Sequence, residues 1–358
     1  MDCNVTSKYY CPAIHSGLHL SLHNNELIAK PCCRYSSSGI DPAEYNTKIA
    51  QIRQNNLNDM PDPGCYTCYS QEKFREKSYR ISQLERFTDS LAENEISVLE
   101  IEYDNSCNLA CRTCTPHYST LWAKELKMPN QKVPVFDNVA QIISQYDSVA
   151  QLKINGGEPL MSRTYWKLLK EIITTKPEFF KDAELHVQTN GTQNLKQIHL
   201  DIFRQFRLVK LSLSIDEIED RFEYIRWPGV WNEVVENLLD LRNTAPPNVM
   251  FNVEQTFSPL NIMRNDAVKN WFALNMPANK DGDPTSYNFH YATGNLSITS
   301  LTDELAKEVG YKFVGQHFKE NPVRIKNMIR VLDEQDAARN QSWKETFPEL
   351  VKYYKRYI

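Results

Sequence analysis

From Ser97 onward, short runs rich in β-branched and aromatic residues alternate with stretches whose apolar residues return every three or four positions. The runs are VLEIEY (98–103), QLKIN (151–155), ELHVQTN (184–190), LVKLSLSID (208–216), MFNVEQTF (250–257) and YNFHYAT (287–293). Each has the length and composition of a strand. Helical patterns such as YWKLLKEII and WNEVVENLLDLRN stand between them. Strands that alternate with helices predict parallel strands joined by right-handed crossovers, so the expected class is α/β, as a β/α barrel or an open wound sheet. After Ser300 the pattern is helical to the end. There Leu350, Tyr354 and Ile358 share one helical face, so the basic and aromatic tail is expected to pack rather than to hold RNA.

The first 95 or so residues read differently. A hairpin is expected around His15 to Cys33, a helix from about Pro42, a turn at PDPGC, and then a charged helix. In that last helix Phe74, Ile81, Leu84, Phe87 and Leu91 recur at roughly helical spacing. His15, His19 and His23 would align on a helix, but Leu18, Leu20 and Leu22 alternate with His19, Ser21 and His23. That is the period of a strand, and it puts the histidines on the polar face of a hairpin. The expected division is 1–95, a Cys-rich domain; 96–298, the β/α domain; and 299–358, a helical extension.

Composition narrows the class further. The 358 residues are 41% hydrophobic and 24% charged, which is ordinary for a packed protein and unlike a disordered chain. A net charge of −4 lacks the bulk positive field of a nonspecific nucleic-acid binder. No stretch reads as a secretion signal and no apolar run is long enough for a membrane span, so a cytoplasmic protein is expected. Nine cysteines, Cys3, Cys11, Cys32, Cys33, Cys65, Cys68, Cys107, Cys111 and Cys114, crowd the N-terminal third and none follows Cys114. An odd, clustered set in a cytosolic chain points to metal ligation rather than to a disulfide framework.

Directly after the first strand stands Cys107-Asn-Leu-Ala-Cys111-Arg-Thr-Cys114. Structural zinc takes four closed ligands, whereas a four-iron cluster held by three thiolates keeps one iron open to a small molecule, and the spacing favours the latter. A zinc knuckle with a fourth ligand from elsewhere is the alternative. The second strand ends in Asn155-Gly156-Gly157-Glu158-Pro159, whose glycines permit close backbone approach and whose Glu158 would otherwise be read as a helix N-terminal carboxylate. Loops at the C-terminal ends of β/α strands collect functional groups, and both motifs occupy such loops.

Together these motifs resemble the radical S-adenosylmethionine (SAM) superfamily over about Ser97 to Thr293. Gln188-Thr189-Asn190-Gly191 after the third strand and Leu213-Ser214-Ile215-Asp216 followed by Tyr224-Ile225-Arg226 after the fourth are similar to it too. Thr113 departs from it, since many members carry an aromatic residue there. The resemblance implies a partial (β/α)6 barrel in which Cys107, Cys111 and Cys114 hold a 4Fe-4S cluster and SAM chelates its open iron. It further implies that Gly156, Gly157 and Glu158 face the SAM amino group, and that Asn190, Ser214 and Arg226 contact SAM. For Asn190, Ser214 and Arg226, structural roles in turns or ion pairs are the competing reading.

Upstream, CPAIHSGLHLSLHNNELIAKPCC and CYTCYSQEKFREKSYR resemble the twitch type of auxiliary-cluster domain, related to SPASM domains. Asn24-Asn25-Glu26 departs from the glycine usual in that hairpin. The resemblance implies a second, auxiliary 4Fe-4S cluster on Cys11, Cys32, Cys65 and Cys68, with Cys33 as a substitute for Cys32. A zinc site on the same residues is the alternative. The expected activity is reductive SAM cleavage and hydrogen abstraction from a peptide or peptide-like substrate, with a small-molecule substrate second. An electron donor such as flavodoxin or ferredoxin is the implied partner, and neither nucleic acid nor membrane is expected. A non-enzymatic electron carrier or zinc-binding module is the reading from a different class.

Overall fold

The computed structural model describes residues 7–23, 26–36, 39–73, 78–87, 95–102, 104–129, 139, 142–264, 266–276, 285–310 and 318–358. Cys3, Asn24, Asn25, Phe74 and Leu91 lie outside them. The fold is mixed α/β, and its strands are hydrogen-bonded in the order β2-β1-β3-β4-β5-β6-β7-β8. They are β1 Gly17–His23, β2 Glu26–Lys30, β3 Glu95–Glu102, β4 Ser148–Ile154, β5 Glu184–Thr189, β6 Leu208–Ser214, β7 Val249–Phe257 and β8 Ser286–Tyr291. The six strands expected from the alternation are β3 to β8. The N-terminal hairpin adds two more: β1 and β2 pair antiparallel, while β1 runs parallel to β3.

By its internal contacts the chain divides into two units. The first comprises Met1–Ser106, Asn130–Val187 and Lys196–Lys210. Here register explains the sheet. Leu18, Leu99, Leu152 and Leu185 are cross-strand neighbours on β1, β3, β4 and β5, and all are buried. One residue further along, His19, Glu100, Lys153 and His186 form a second row in the same register. Successive side chains point to opposite faces, so one face is a leucine layer and the other carries four titratable groups. Parallel strands are ordinarily apolar on both faces, which makes this row unusual.

Helices of the first unit include α1 Pro12–Ser16, α2 Tyr45–Leu57, α3 Tyr66–Lys73 and α4 Tyr79–Arg86. The charged helix expected across this region is two helices. In α4 the buried side chains are Arg80 and Gln83 rather than Ile81 and Leu84, because Arg80 is claimed by Glu72 and by the carbonyl of Tyr10. His19 is also a correction: it is buried, and its Nε2 lies 3.0 Å from Glu102 Oε2. A strand with neighbours on both edges and packing on both faces has no solvent side, and only His23 at its end is exposed. His15 is in α1, bonded to Asn56.

The second unit comprises Cys107–Pro129, Gln188–Leu195 and Leu211–Ile358. It holds α5 Thr120–Glu125, α8 Glu219–Ile225, α9 Trp231–Thr244, α10 Ala267–Asn275 and the C-terminal helices α11 Asp303–Val309, α12 Pro322–Arg339, α13 Trp343–Thr346 and α14 Pro348–Tyr354. Helices α6 Arg163–Thr175 and α7 Gln197–Phe203 belong to the first unit. Asn321 caps α12 from its side chain, Pro322 opens it, and Asn340 ends it in the left-handed region. Tyr224, Ile225, Leu260, Leu332, Trp343 and Tyr354 belong to one buried apolar cluster. The tail therefore packs through Leu350 and Tyr354, whereas Ile358 is exposed because α14 stops before it. Among the described residues no helix is long and apolar enough to cross a membrane.

Candidate functional site

In the second unit, Cys107 to Cys114 form a loop held from several sides. Ala110 N donates to Trp227 O at 2.7 Å and Arg112 N to Ile225 O at 2.8 Å, so the end of α8 and the residues after it act as a backbone splint. Trp122 Nε1 donates to Cys111 O, Ser119 Oγ to Leu109 O, and Thr120 Oγ1 to Cys107 O. Cys111 is buried, while Cys107 and Cys114 are partly exposed. Leu109 N points at Cys107 Sγ from 3.5 Å and Asn190 Nδ2 from 3.9 Å, contacts that a thiolate acceptor strengthens.

Burial pushes the Cys111 thiol far up, and the Arg226 guanidinium beside it opposes that shift; the same two influences act on Cys114. A cation next to these two thiols favours the thiolate form that metal ligation requires. Arg226 caps α8 and its Nε lies 2.9 Å from Asp216 Oδ2, out of hydrogen-bond alignment. Burial works against its charge, yet Asp216 and Cys111 raise its pKa. Asp216 is itself fully buried and accepts Thr256 N at 2.8 Å.

Asn190 is committed to the same loop. Its Nδ2 donates to Asn108 Oδ1 at 3.1 Å, and its Oδ1 accepts Thr192 N at 2.9 Å. Ser214 accepts from Gln188 Nε2 at 3.0 Å. The second unit thus brings Cys107, Cys111, Cys114, Asn190 and Arg226 to one loop and its supports.

Gly156, Gly157 and Glu158 lie in the first unit. Gly157 N donates to Asp104 O at 2.8 Å and Glu158 N to Ser106 O at 2.7 Å. Gly156 has φ +127, and a Cβ on it would stand 2.4 Å from Asp104 O; one on Gly157 would stand 2.4 Å from Ser106 O. The two glycines therefore let this turn press on the backbone that runs into Cys107. Glu158 is buried and its Oε1 caps Leu160 N at 3.0 Å.

Also in the first unit, Cys11, Cys32, Cys65 and Cys68 line one small cavity with Tyr35, Tyr79 and Arg80. Cys11 caps α1, Cys65 ends a 3-10 turn and Cys68 is inside α3, so three local elements converge. Burial raises Cys11 to about 11 and Cys65 to about 12. Cys33 stands beside Glu100 instead; burial first and that carboxylate second raise its thiol to about 12. As the side chains stand, no group of three His, Cys, Asp or Glu among the described residues could hold a metal ion. Four thiols around one cavity, and three on one loop, are nevertheless the soft sulfur sets that four-iron clusters take.

Sequence reading missed Asp216, Asn108, Thr192, Arg112 and Asp336. LSLSID drew attention through Ser214, while the aspartate two residues on makes the ion pair. On the polar row, Glu100 is buried with Oε1 taken by Asn155 Nδ2 at 2.6 Å and Oε2 without a partner, and Lys153 Nζ lies over the Tyr79 ring.

An α/β sheet with a three-thiol loop after a parallel strand defines a class of iron-sulfur protein. Residues 101–253 match the model of the Radical SAM superfamily. That segment belongs to the superfamily, whose cofactors are a 4Fe-4S cluster and SAM. The chain is 29% identical to a GTP 3′,8-cyclase of Campylobacter lari over 159 residues, 44% of this chain and 46% of the relative. It is 27% identical to a probable GTP 3′,8-cyclase of Methanocella arvoryzae over 145 residues, 40% of this chain and 42% of the relative. The chain thus spans less than half the length of these curated relatives. Among solved structures it is similar to native anSMEcpe with bound AdoMet, at 15% identity and TM-score 0.42 over 68% of this chain and 62% of that one. It is also similar to Streptococcus suis SuiB bound to precursor peptide SuiA, at 11% identity and TM-score 0.39 over 94% of this chain and 74% of that one.

Proposed function

We propose that this protein reductively cleaves SAM and abstracts a hydrogen atom from a peptide or peptide-like substrate. The observation that carries the reading is the loop of Cys107, Cys111 and Cys114, splinted through its backbone and supplied with a cation by Arg226. Cys107, Cys111 and Cys114 would hold the cluster, and the pair of cofactors would supply one-electron reductive cleavage of the SAM C5′–S bond and the hydrogen-abstracting chemistry that follows from it. Arg226 holds positive charge beside the thiolates, Asn190 holds the loop, and Gly156-Gly157 press the strand end that leads into it. Asn190, Ser214 and Arg226 are in addition assigned to SAM, and Glu158 to its amino group.

Residues 1–95 are assigned as an auxiliary-cluster domain on Cys11, Cys32, Cys65 and Cys68, 96–298 as the SAM-cleaving domain and 299–358 as a helical extension. A flavodoxin or ferredoxin is the assigned electron donor. A small-molecule substrate is the second reading, favoured by the two cyclase relatives, which act on GTP.

Anaerobic reconstitution followed by dithionite and SAM tests the reading. 5′-Deoxyadenosine and methionine are expected, and Cys111→Ala is expected to abolish both. Fully loaded protein that leaves SAM intact would point to an electron carrier instead. Adding GTP, or a precursor peptide encoded beside the gene, and following which one speeds 5′-deoxyadenosine formation separates the two substrate classes.

A further inference from the structure

Arg112 sits between two of the loop's cysteines, and its side chain is fully buried. Every nitrogen of its guanidinium is used. Nε donates to Tyr224 O at 3.0 Å, Nη1 to Gln335 Oε1 at 2.9 Å, and Nη2 to Asp336 Oδ1 at 2.7 Å and Gln341 Oε1 at 2.9 Å. The plane lies over the Tyr224 ring, 3.6 Å from its centroid. Asp336 is satisfied in turn: Oδ1 also accepts the Tyr224 hydroxyl at 2.7 Å, and Oδ2 accepts Trp343 N at 2.6 Å. Helix α12 grips the same region again at Arg339, whose guanidinium is bidentate to Glu125 and stacks on Trp122 and Trp227, each 4.7 Å away. Trp122 is the residue that bonds the Cys111 carbonyl. Asp336 and Arg339 are three positions apart and so share one face of α12.

We propose that Asp336 is a positioning residue for the cluster: through Arg112 it makes helix α12 part of the site and neutralises the buried charge carried by the residue whose backbone links Cys111 to Cys114. An unpaired buried guanidinium is costly, so the pair fixes the Cys111-to-Cys114 turn in one conformation. Groups behind the ligands set a metal's affinity, and net charge near an iron-sulfur cluster sets its potential. Removing the Asp336 charge while keeping its shape leaves Arg112 uncompensated, which favours the reduced, more negative cluster. The inference rests on the reading that Cys107, Cys111 and Cys114 hold the SAM-responsive cluster.

The test uses anaerobically loaded full-length protein. The reduced-cluster EPR component that changes on adding SAM is titrated for its midpoint potential, and iron release to a chelator is timed. Asp336→Asn is expected to shift the midpoint to more positive potential and to speed iron release at least threefold, with Asp336→Glu restoring the potential. Glu349→Gln breaks a comparable ion pair, Arg221 to Glu349, which holds α14 against α8 without touching the loop. It is expected to change neither quantity. Should Asp336→Asn fail to fold, Gln335→Ala removes only the contact to Nη1 and is expected to speed iron release with the fold intact. Wild-type potential and release in folded Asp336→Asn, or wild-type release in Gln335→Ala, would overturn the proposal, as would an equal potential shift in Glu349→Gln. A Cys111→Ala protein that keeps the SAM-responsive signal would overturn the underlying cluster assignment instead.

Discussion

Gly157 donates its backbone N–H to the carbonyl of Asp104 at 2.8 Å, across a gap too narrow for any side chain. The neighbours a Cβ would meet are backbone atoms of Asn105 and Ser106, which cannot swing aside. Gly157→Ala should therefore cost about 2 kcal/mol or more of stability, the scale of overpacking against immovable atoms. Because Ser106 precedes Cys107, iron loading should fall with it. Thermal melting and iron content of the same preparation check this, and a variant as stable as wild type would refute the tight-approach argument.

Cys32 joins the cavity of Cys11, Cys65 and Cys68, while its neighbour Cys33 stands beside Glu100. Loaded wild-type protein should hold about eight irons per chain, from two four-iron clusters. Cys65→Ala and Cys32→Ala should each leave about four, and Cys33→Ala about eight. Four irons with zinc in the wild type would establish the zinc alternative for the N-terminal set, and iron loss in Cys33→Ala but not Cys32→Ala would exchange those two as ligands.

Glu158 caps Leu160 N with Oε1. Loss of a cap alone costs about 1 kcal/mol and leaves ligand affinity untouched. Glu158→Ala is expected to lose that stability and also at least tenfold in SAM affinity, by calorimetry on the loaded protein. Unchanged affinity would restrict Glu158 to its capping role.

His199 is packed on Trp166, 4.6 Å between ring centroids, and its Nδ1 accepts Lys196 N. Burial, helped by Lys196, lowers its pKa to about 4. His186 is lowered to about 4 as well, by burial against the opposing pull of Glu184. Between that value and the ordinary 6.5 the unfolded chain binds protons the folded chain does not, so this stability is complete above about 6.5 and is lost as pH falls toward 4. Each histidine contributes a slope of up to about 1.4 kcal/mol per pH unit in that window. Melting at pH 7, 6 and 5 should show falling Tm, and His199→Gln should flatten the decline. An identical decline in the variant would remove His199 as a source.

The strands β3 to β8 and the three-cysteine loop were legible because each is written locally, as alternation within a run or spacing within a loop. Legibility failed where several neighbours compete for one side chain. α4 shows it: the apolar spacing of Ile81 and Leu84 promised a buried face, but Arg80 was drawn inward by Glu72 and a carbonyl seventy residues away. His19 shows it too, since strand alternation cannot say that both edges of β1 are occupied.

Spacing alone determined that three thiols share one turn, that six more lie upstream, and that two glycines close the second strand. Which of Cys32 and Cys33 faces the cavity, and that Arg112 finds Asp336 across 224 positions, were decided by packing. The reason is physical: the first kind of fact depends on bond geometry over a few residues, and the second on which distant surfaces bury each other and on the charges they must then satisfy.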